Sequence, residues 1–221
     1  MMINRGICLI IGYIFGLFQT GFIYGKLHHI DIREYGSGNA GTTNTLRTLG
    51  WKAGLITFIG DAGKAILAML AVWFLFHGDY PEEVKMLELY AGLGAVLGHN
   101  FPFYLNFKGG KGIACTAGVI ITFHPPMAIA CLLIFVVTVA VTRYVSLGSM
   151  LVAMCFYLQI VIFASEGYLK ISEELLPEVY ILGGAFFVLA IWRHRENVKR
   201  LLSRTENKFS IKNAGNMQKK E

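Results

Sequence analysis

Residues 113–142 read IACTAGVIITFHPPMAIACLLIFVVTVAVT, an apolar run without one Asp, Glu, Lys or Arg, broken near its middle by Pro125 and Pro126. Proline removes a backbone donor and clashes with the preceding turn. The run therefore divides into two helical pieces, about 113–123 and 127–142, arranged as a hairpin or a re-entrant pair. Further apolar stretches cover about 3–24, 53–76, 87–107, 145–164 and 179–191, and several reach the roughly 20 residues that a spanning helix needs. With 55% hydrophobic and 15% charged residues and a mean hydropathy of +0.54, the chain is more apolar than one soluble core can hide. The sequence thus predicts an all-α polytopic membrane protein of about seven transmembrane helices, with five as the alternative count. Its first stretch runs past Gln19 and Thr20 to Tyr24 without a small-residue cleavage site, which predicts a retained helix rather than a signal peptide.

Charge sets the orientation. With the N-terminus outside, the short inner loops hold Lys26, Arg33, Arg47, Lys52, Lys108, Lys111 and Arg143, and nine more Lys and Arg follow from Arg193 onward. The outer segments hold only Arg5, Lys85 and Lys170, beside acidic clusters at 79–83 and 166–178. Positively charged loops stay in the cytoplasm, so the C-terminus is expected there. The net charge of +6 is explained by topology and anion binding, and no nucleic-acid partner is expected. Cys8, Cys115, Cys131 and Cys155 are scattered in apolar surroundings, which predicts neither a disulfide framework nor a metal site.

This topology gathers three unusual polar segments on one side. Residues 98–112, GHNFPFYLNFKGGKG, end in closely spaced glycines and two lysines, where backbone amides and ammonium groups can converge on an anion. Leu105 and Gly112 stand where a P-loop needs Gly and Ser or Thr, so it is not a P-loop; alone, GGKG is more often a solvated flexible loop. Residues 35–50, YGSGNAGTTNTLRTLG, crowd small hydroxyls, Asn39 and Asn44 around Arg47, a hydrogen-bonding cradle for an oxyanion. Residues 192–208, WRHRENVKRLLSRTENK, form a basic juxtamembrane helix whose bland role is to meet anionic headgroups. His194 and Asn197 share one face of that helix, a more specific pairing.

Together these segments resemble the three motifs of the bacterial acyl-phosphate:glycerol-3-phosphate acyltransferase family, PlsY. The first is Ser37-Gly38-Asn39 through Asn44 and Arg47. The second is Gly98-His99 with Phe101-Pro102 and Phe107 to Gly112. The third is His194-Arg195, Asn197 and Arg200-Leu201-Leu202 with Glu206. The likeness runs from the first helix to about Lys208. It departs from the family pattern at Thr42, Cys115, Arg204 and Ala65, the last within a surviving Asp61-x-x-Lys64 pattern.

The resemblance implies one integral-membrane acyltransferase domain over residues 1–208 with a polar basic tail over 209–221. It implies transfer of a fatty acyl group from acyl-phosphate to the sn-1 hydroxyl of glycerol-3-phosphate, giving lysophosphatidic acid and inorganic phosphate, the first acylation of phospholipid synthesis. No cofactor is implied. The implied setting is the bacterial cytoplasmic (inner) membrane, among its lipids, with the site facing the cytoplasm and a functional link to an enzyme that makes acyl-phosphate. Ser37, Arg47 and Lys108 are expected to hold phosphate. The amides of Gly109, Gly110 and Gly112, with Lys111, are expected to bind glycerol-3-phosphate. Gly38, Asn39, Asn44, Arg200 and Glu206 are expected among the substrate-binding groups. His194 is either a general base or, with Asn197, an orienting group while a substrate phosphate takes the proton. Ser37 as a covalent nucleophile is disfavoured, because no base lies beside it in sequence. Asp61 and Lys64 read as a paired couple one turn apart, and His99 as a packed histidine. A transporter of a small phosphorylated solute would also want anion cradles, but it should show an internal repeat or polar groups along several helices. A lipid-binding scaffold would rest on the basic tail alone.

Overall fold

A computed structural model describes residues 2–209. Its regular elements among those residues are ten α-helices and three single-turn 3-10 helices, at Ile32–Glu34, Phe103–Leu105 and Glu173–Leu175, joined by loops of which 28–41 and 101–112 are the longest. The α-helices are α1 (Met2–Gly16), α2 (Thr20–Leu27), α3 (Thr42–Leu49), α4 (Trp51–Phe76), α5 (Val84–Asn100), α6 (Ile113–Phe123), α7 (Pro125–Thr142), α8 (Val145–Ser165), α9 (Leu176–Arg193) and α10 (Arg195–Leu202).

Each apolar stretch of the sequence forms one helix except the first, which forms two, and the stretch expected over 87–107 stays α-helical only to Asn100; the helices differ in reach. Five spans are long and apolar enough to cross a membrane: 2–27, α4, α7, α8 and 173–193. The other two, α5 and α6, have 17 and 11 residues. At 1.5 Å per residue they rise about 26 and about 16 Å, against a hydrocarbon core of about 30 Å. Helix α5 is the centre of the bundle, packed on α1, α4, α6 and α9 with most of its residues buried. A helix enclosed by others is screened from lipid whatever its length. Helix α6 ends at His124, whose extended backbone (φ −157°) is what a residue before proline adopts, and α7 starts on Pro125 and Pro126, where missing amides cost no helical bond. Most of α7 faces outward, with Leu133, Val136 and Val137 exposed as lipid-facing residues should be.

Close backbone contact holds α1 to α5. A Cβ on Gly12 would fall 1.9 Å from the Ala91 carbonyl oxygen and one on Gly16 2.3 Å from that of Ala95. Reciprocally, Gly94 and Gly98 would each meet a carbonyl oxygen of α1, on Leu9 and Tyr13, at 2.2 Å. Lipid tails remove the hydrophobic drive between helices, so such small-residue seams supply the packing.

The single first helix expected from the sequence is divided at 17–19, between α1 and α2. The cause is tertiary. The break frees the Phe18 carbonyl to accept Lys64 Nζ at 2.5 Å, and buried Gln19 donates to the His99 carbonyl at 3.1 Å. The expected Asp61–Lys64 couple is present, with Nζ 3.1 Å from Oδ1 inside α4.

At the other end of the chain, Phe209 is fastened to the α7–α8 turn. Its amide donates to the Arg143 carbonyl at 2.7 Å, and Arg143 Nε donates to the Phe209 carbonyl at 3.1 Å. Phe209, assigned by the sequence to the polar tail, thus belongs to the folded body. The rest of that tail, residues 210–221, lies outside the described residues.

Candidate active site

The three motif segments meet around one cavity of about 500 Å3. Its polar end is lined by Ser37, Asn39, Asn44, Arg47, Lys111, His194, Asn197, Arg200 and Glu206; beyond it, Ile120, Ile121, Leu132, Phe135 and Val152 of α6, α7 and α8 make an apolar wall.

The first motif folds around Asn44. Its Nδ2 donates to the carbonyls of Ile32 and Tyr35, both at 3.0 Å, and its Oδ1 accepts from the Ser37 amide at 2.8 Å. Every one of these bonds is to the loop's own backbone, so Asn44, which also lines the cavity, ties the loop together. Gly36 (φ +56°) and Gly38 (φ +70°) take left-handed conformations that let the loop turn this tightly. Gly38 does not line the cavity, and Asn39 uses its Oδ1 to accept the Gly41 amide at 2.9 Å. This frame leaves Arg47, from α3, half-buried at the cavity with no side-chain partner among the described residues.

In the second motif the structure departs from the amide cradle read in the sequence. The Gly109 and Gly110 amides donate to the carbonyls of Asn100 and His99 at 3.2 and 3.1 Å, and their own carbonyls accept Arg193 Nη2 at 3.0 and 2.6 Å. Donors already bonded to α5 are not offered to a phosphate. These glycines are required for space: a Cβ on Gly109 would lie 2.0 Å from the His99 carbonyl oxygen, and one on Gly110 1.9 Å from His99 Nε2. The Lys111 and Gly112 amides make no backbone bond, and the amides of the first turn of α6 lack an intrahelical partner, as at any helix start. Gly112 (φ +81°) caps that helix without a side-chain bond, and Ile113 and Ala114 line the cavity. A helix start of this kind favours an anion through its orphan N–H groups and dipole. Lys108, expected to hold phosphate, is exposed and off the cavity, whereas Lys111 lines it. Positive φ at Asn106 (54°) and Phe107 (59°) rotates the chain so that the second lysine, not the first, faces inward.

The third motif supplies a linked set of polar groups. Lys111 Nζ donates to Asn197 Oδ1, and Asn197 Nδ2 donates to Glu206 Oε1 at 2.8 Å. Arg200 Nε donates to Glu206 Oε2 at 2.7 Å, and Ser146 Oγ to Oε1 at 2.8 Å. Burial works to raise the Glu206 pKa, but the bonds from Asn197, Ser146 and Arg200 outweigh it and hold the carboxyl below its ordinary value, so it is ionised. Burial, with Arg200 nearby, lowers Lys111 to about 8, still largely charged at neutral pH. Burial first, and Lys111 second, lower His194 to about 4, so its ring is neutral in the working range. His194 Nδ1 lies 2.8 Å from the Ala190 carbonyl oxygen, which can only accept; the ring hydrogen is therefore on Nδ1, and Nε2 is a lone-pair acceptor.

Two participants escape the sequence reading. Ser146 sits in the first turn of α8 with no motif around it, and Arg193 reaches the glycine loop from α9. No cluster of His, Cys, Asp and Glu fit to hold a metal occurs among the described residues.

A cationic, hydrogen-bonding chamber opening onto an apolar slot inside a helical membrane bundle defines a class: an integral-membrane site for an amphiphilic anion. Residues 6–204 match the family model described as glycerol-3-phosphate acyltransferase. A glycerol-3-phosphate acyltransferase of Alkaliphilus metalliredigens is 44% identical over 214 residues, covering 96% of this chain and 98% of that one. One from Chlorobaculum tepidum is 40% identical over 221 residues, covering 92% and 95%. The crystal structure of PlsY, an integral membrane glycerol 3-phosphate acyltransferase, in its glycerol 3-phosphate form aligns with a TM-score of 0.77 at 32% identity, covering 93% of this chain and 96% of that one. Its lysophosphatidic acid form also gives 0.77, at 31% identity. The chain belongs to the glycerol-3-phosphate acyltransferase family and is a membrane acyltransferase.

Proposed function

We propose that the enzyme transfers a fatty acyl group from acyl-phosphate to the sn-1 hydroxyl of glycerol-3-phosphate, releasing lysophosphatidic acid and inorganic phosphate. The observation that carries this reading is the continuity of the cation cluster of Arg47, Lys111 and Arg200 with the apolar slot of α6, α7 and α8. Phosphate-bearing ends bind among the cations and the α6 start; the acyl chain lies in the slot. An acyl-phosphate is already activated, so the protein has mainly to position the hydroxyl and neutralise charge.

His194 Nε2 accepts a hydrogen bond from the attacking hydroxyl and aims it. A ring with a pKa of about 4 does not hold a proton at neutral pH. As the hydroxyl oxygen bonds to the acyl carbon and the bond from that carbon to the phosphate oxygen breaks, the hydroxyl proton passes to the departing phosphate. Arg47, Lys111 and the first turn of α6 offset the negative charge on the phosphates. The Lys and Arg distribution supports a cytoplasmic site in a bacterial inner membrane, with the N-terminus outside. Acyl-phosphate hydrolyses in water, so the reaction class upstream is one that forms this mixed anhydride at or near the membrane.

The test is acyl transfer by purified protein in detergent. Acyl-phosphate with labelled glycerol-3-phosphate should yield labelled lysophosphatidic acid and free phosphate in equal amounts. Activity with an acyl thioester and none with acyl-phosphate would overturn the donor assignment. Vesicle uptake of glycerol-3-phosphate without acylation would support the transporter reading instead.

A further inference from the structure

We infer that His99 presents its Nε2–H as a hydrogen-bond donor to an anionic oxygen of the bound substrate, and that the intramembrane Lys64–Asp61 pair keeps the hydrogen on that nitrogen. The inference deepens the acyl-transfer reading and rests on it for the identity of the ligand.

Lys64 Nζ decides which nitrogen of the His99 ring carries the hydrogen. An ammonium carries three hydrogens and no lone pair. Three acceptors surround it: the Phe18 carbonyl at 2.5 Å, His99 Nδ1 at 2.8 Å and Asp61 Oδ1 at 3.1 Å. An ammonium can only donate, so His99 Nδ1, 2.8 Å away, must present its lone pair, while Asp61 completes an ion pair. The competing arrangement, a protonated His99 Nδ1 donating to Asp61, would have to act across 3.6 Å, beyond hydrogen-bond reach. A neutral imidazole has one N–H, and here it is on Nε2.

That nitrogen has no hydrogen-bond partner among the described residues, although His99 is 2% exposed and lines the cavity. It lies against Gly110, the residue whose missing Cβ makes room for it. Asp61 also lines the cavity and is held by Thr20 Oγ1 at 3.1 Å. A buried ion pair inside a membrane helix is costly, and well-packed apolar residues would often stabilise more. A pair that fixes one ring tautomer gives it a use. The two cavity histidines are then opposites: His99, held by an ammonium, donates through Nε2, whereas His194, held by a carbonyl, accepts through Nε2. One can bind a substrate oxyanion and the other a substrate hydroxyl.

The test starts with full-length protein carrying 15N-histidine in detergent micelles, where two-bond 15N–1H correlations distinguish the tautomers. Loss of signals in His99→Gln and His194→Gln assigns each ring. His99 should show the Nε2–H pattern and His194 the Nδ1–H pattern, and adding glycerol-3-phosphate with a non-transferable acyl-phosphate analogue should move the His99 Nε2–H proton downfield. A His99 ring protonated on Nδ1, or on both nitrogens, overturns the inference, as does a proton that neither ligand moves. These readouts do not need turnover, so an absence of acyl transfer would count against the functional reading and not against the tautomer. In kinetics, His99→Gln keeps an N–H near the Nε2 position and should stay within about tenfold of wild type, while His99→Leu should lose about 10²- to 10³-fold, the cost of one preorganised donor. Equal losses in the two folded variants overturn the donor role. A loss confined to the Michaelis constant marks a phosphate oxygen as the acceptor; one confined to turnover marks the oxygen on which charge develops. The double variant Lys64→Met with Asp61→Asn, which removes both charges together, should mix the His99 tautomers. An unchanged pattern would remove Lys64 from its positioning role.

Discussion

Replacing Arg47 by Lys keeps the positive charge and removes the planar fork of donors, so it separates geometry from charge. In the folded protein the Arg47 side chain bonds to no other described residue, and it is half-buried at the cavity beside Glu206 and Arg200. The substitution therefore breaks no internal hydrogen bond, and stability should stay within about 0.5 kcal/mol. What is lost is contact with the ligand. One charge-assisted hydrogen bond is worth about 1.5 to 3 kcal/mol, and an ammonium cannot reproduce the bidentate grip on phosphate. Catalytic efficiency should then fall roughly ten- to a hundredfold. Initial rates of lysophosphatidic acid formation by detergent-purified Arg47→Lys, beside its thermal unfolding curve, give both quantities. Near-normal rates from well-folded protein would show that Arg47 serves only as an inward-retained charge. A collapse in stability would show that the residue supports the fold in a way the geometry does not contain.

The two lysines of the glycine loop should behave oppositely: Lys108→Ala, at an exposed position, should stay within about threefold of wild-type activity, whereas Lys111→Ala should raise the Michaelis constant for glycerol-3-phosphate at least about tenfold. Gly110→Ala should be severe, at least about a hundredfold in efficiency, because its methyl group meets His99 Nε2 at 1.9 Å; a rise only in the Michaelis constant for glycerol-3-phosphate would instead restore a direct phosphate-binding role to this loop. In pH profiles, that constant should rise above about pH 8 as Lys111 loses its charge, and again below about pH 6 as the substrate phosphate gains a proton. His194, with a pKa of about 4, should add no inflection between pH 5 and 8, and one that vanishes in His194→Gln would return it to the role of general base.

Much of this was legible in the chain itself. Apolar runs marked every long helix, Pro125 and Pro126 marked the α6–α7 junction, and the three polar segments singled out in the sequence meet at one cavity. What escaped depends on partners distant in sequence. Nothing within 98–112 tells which lysine turns inward, because that follows from the backbone at Asn106 and Phe107. Nor does the stretch show that Arg193, more than 80 residues on, takes the Gly109 and Gly110 carbonyls while α5 takes their amides. The division of the first helix answers to Lys64 in α4, and Ser146 joins the site only because Glu206 folds back to it. Asn44 reads as a ligand because its amide is versatile, and what the stretch does not show is that this amide also ties the loop to itself.

The shortness of α6 bears on where the proposed chemistry would happen. Its 11 residues climb about 16 Å, roughly half the hydrocarbon thickness, whereas the spanning helix α7 that follows His124 has 18. With α7 starting at one face of the bilayer, the start of α6 would fall inside the membrane rather than among the headgroups. On the proposed reaction, a lipid-borne acyl chain would then react without being lifted out of the bilayer, and the water-soluble partner would descend to it, leaving most of its hydration shell behind.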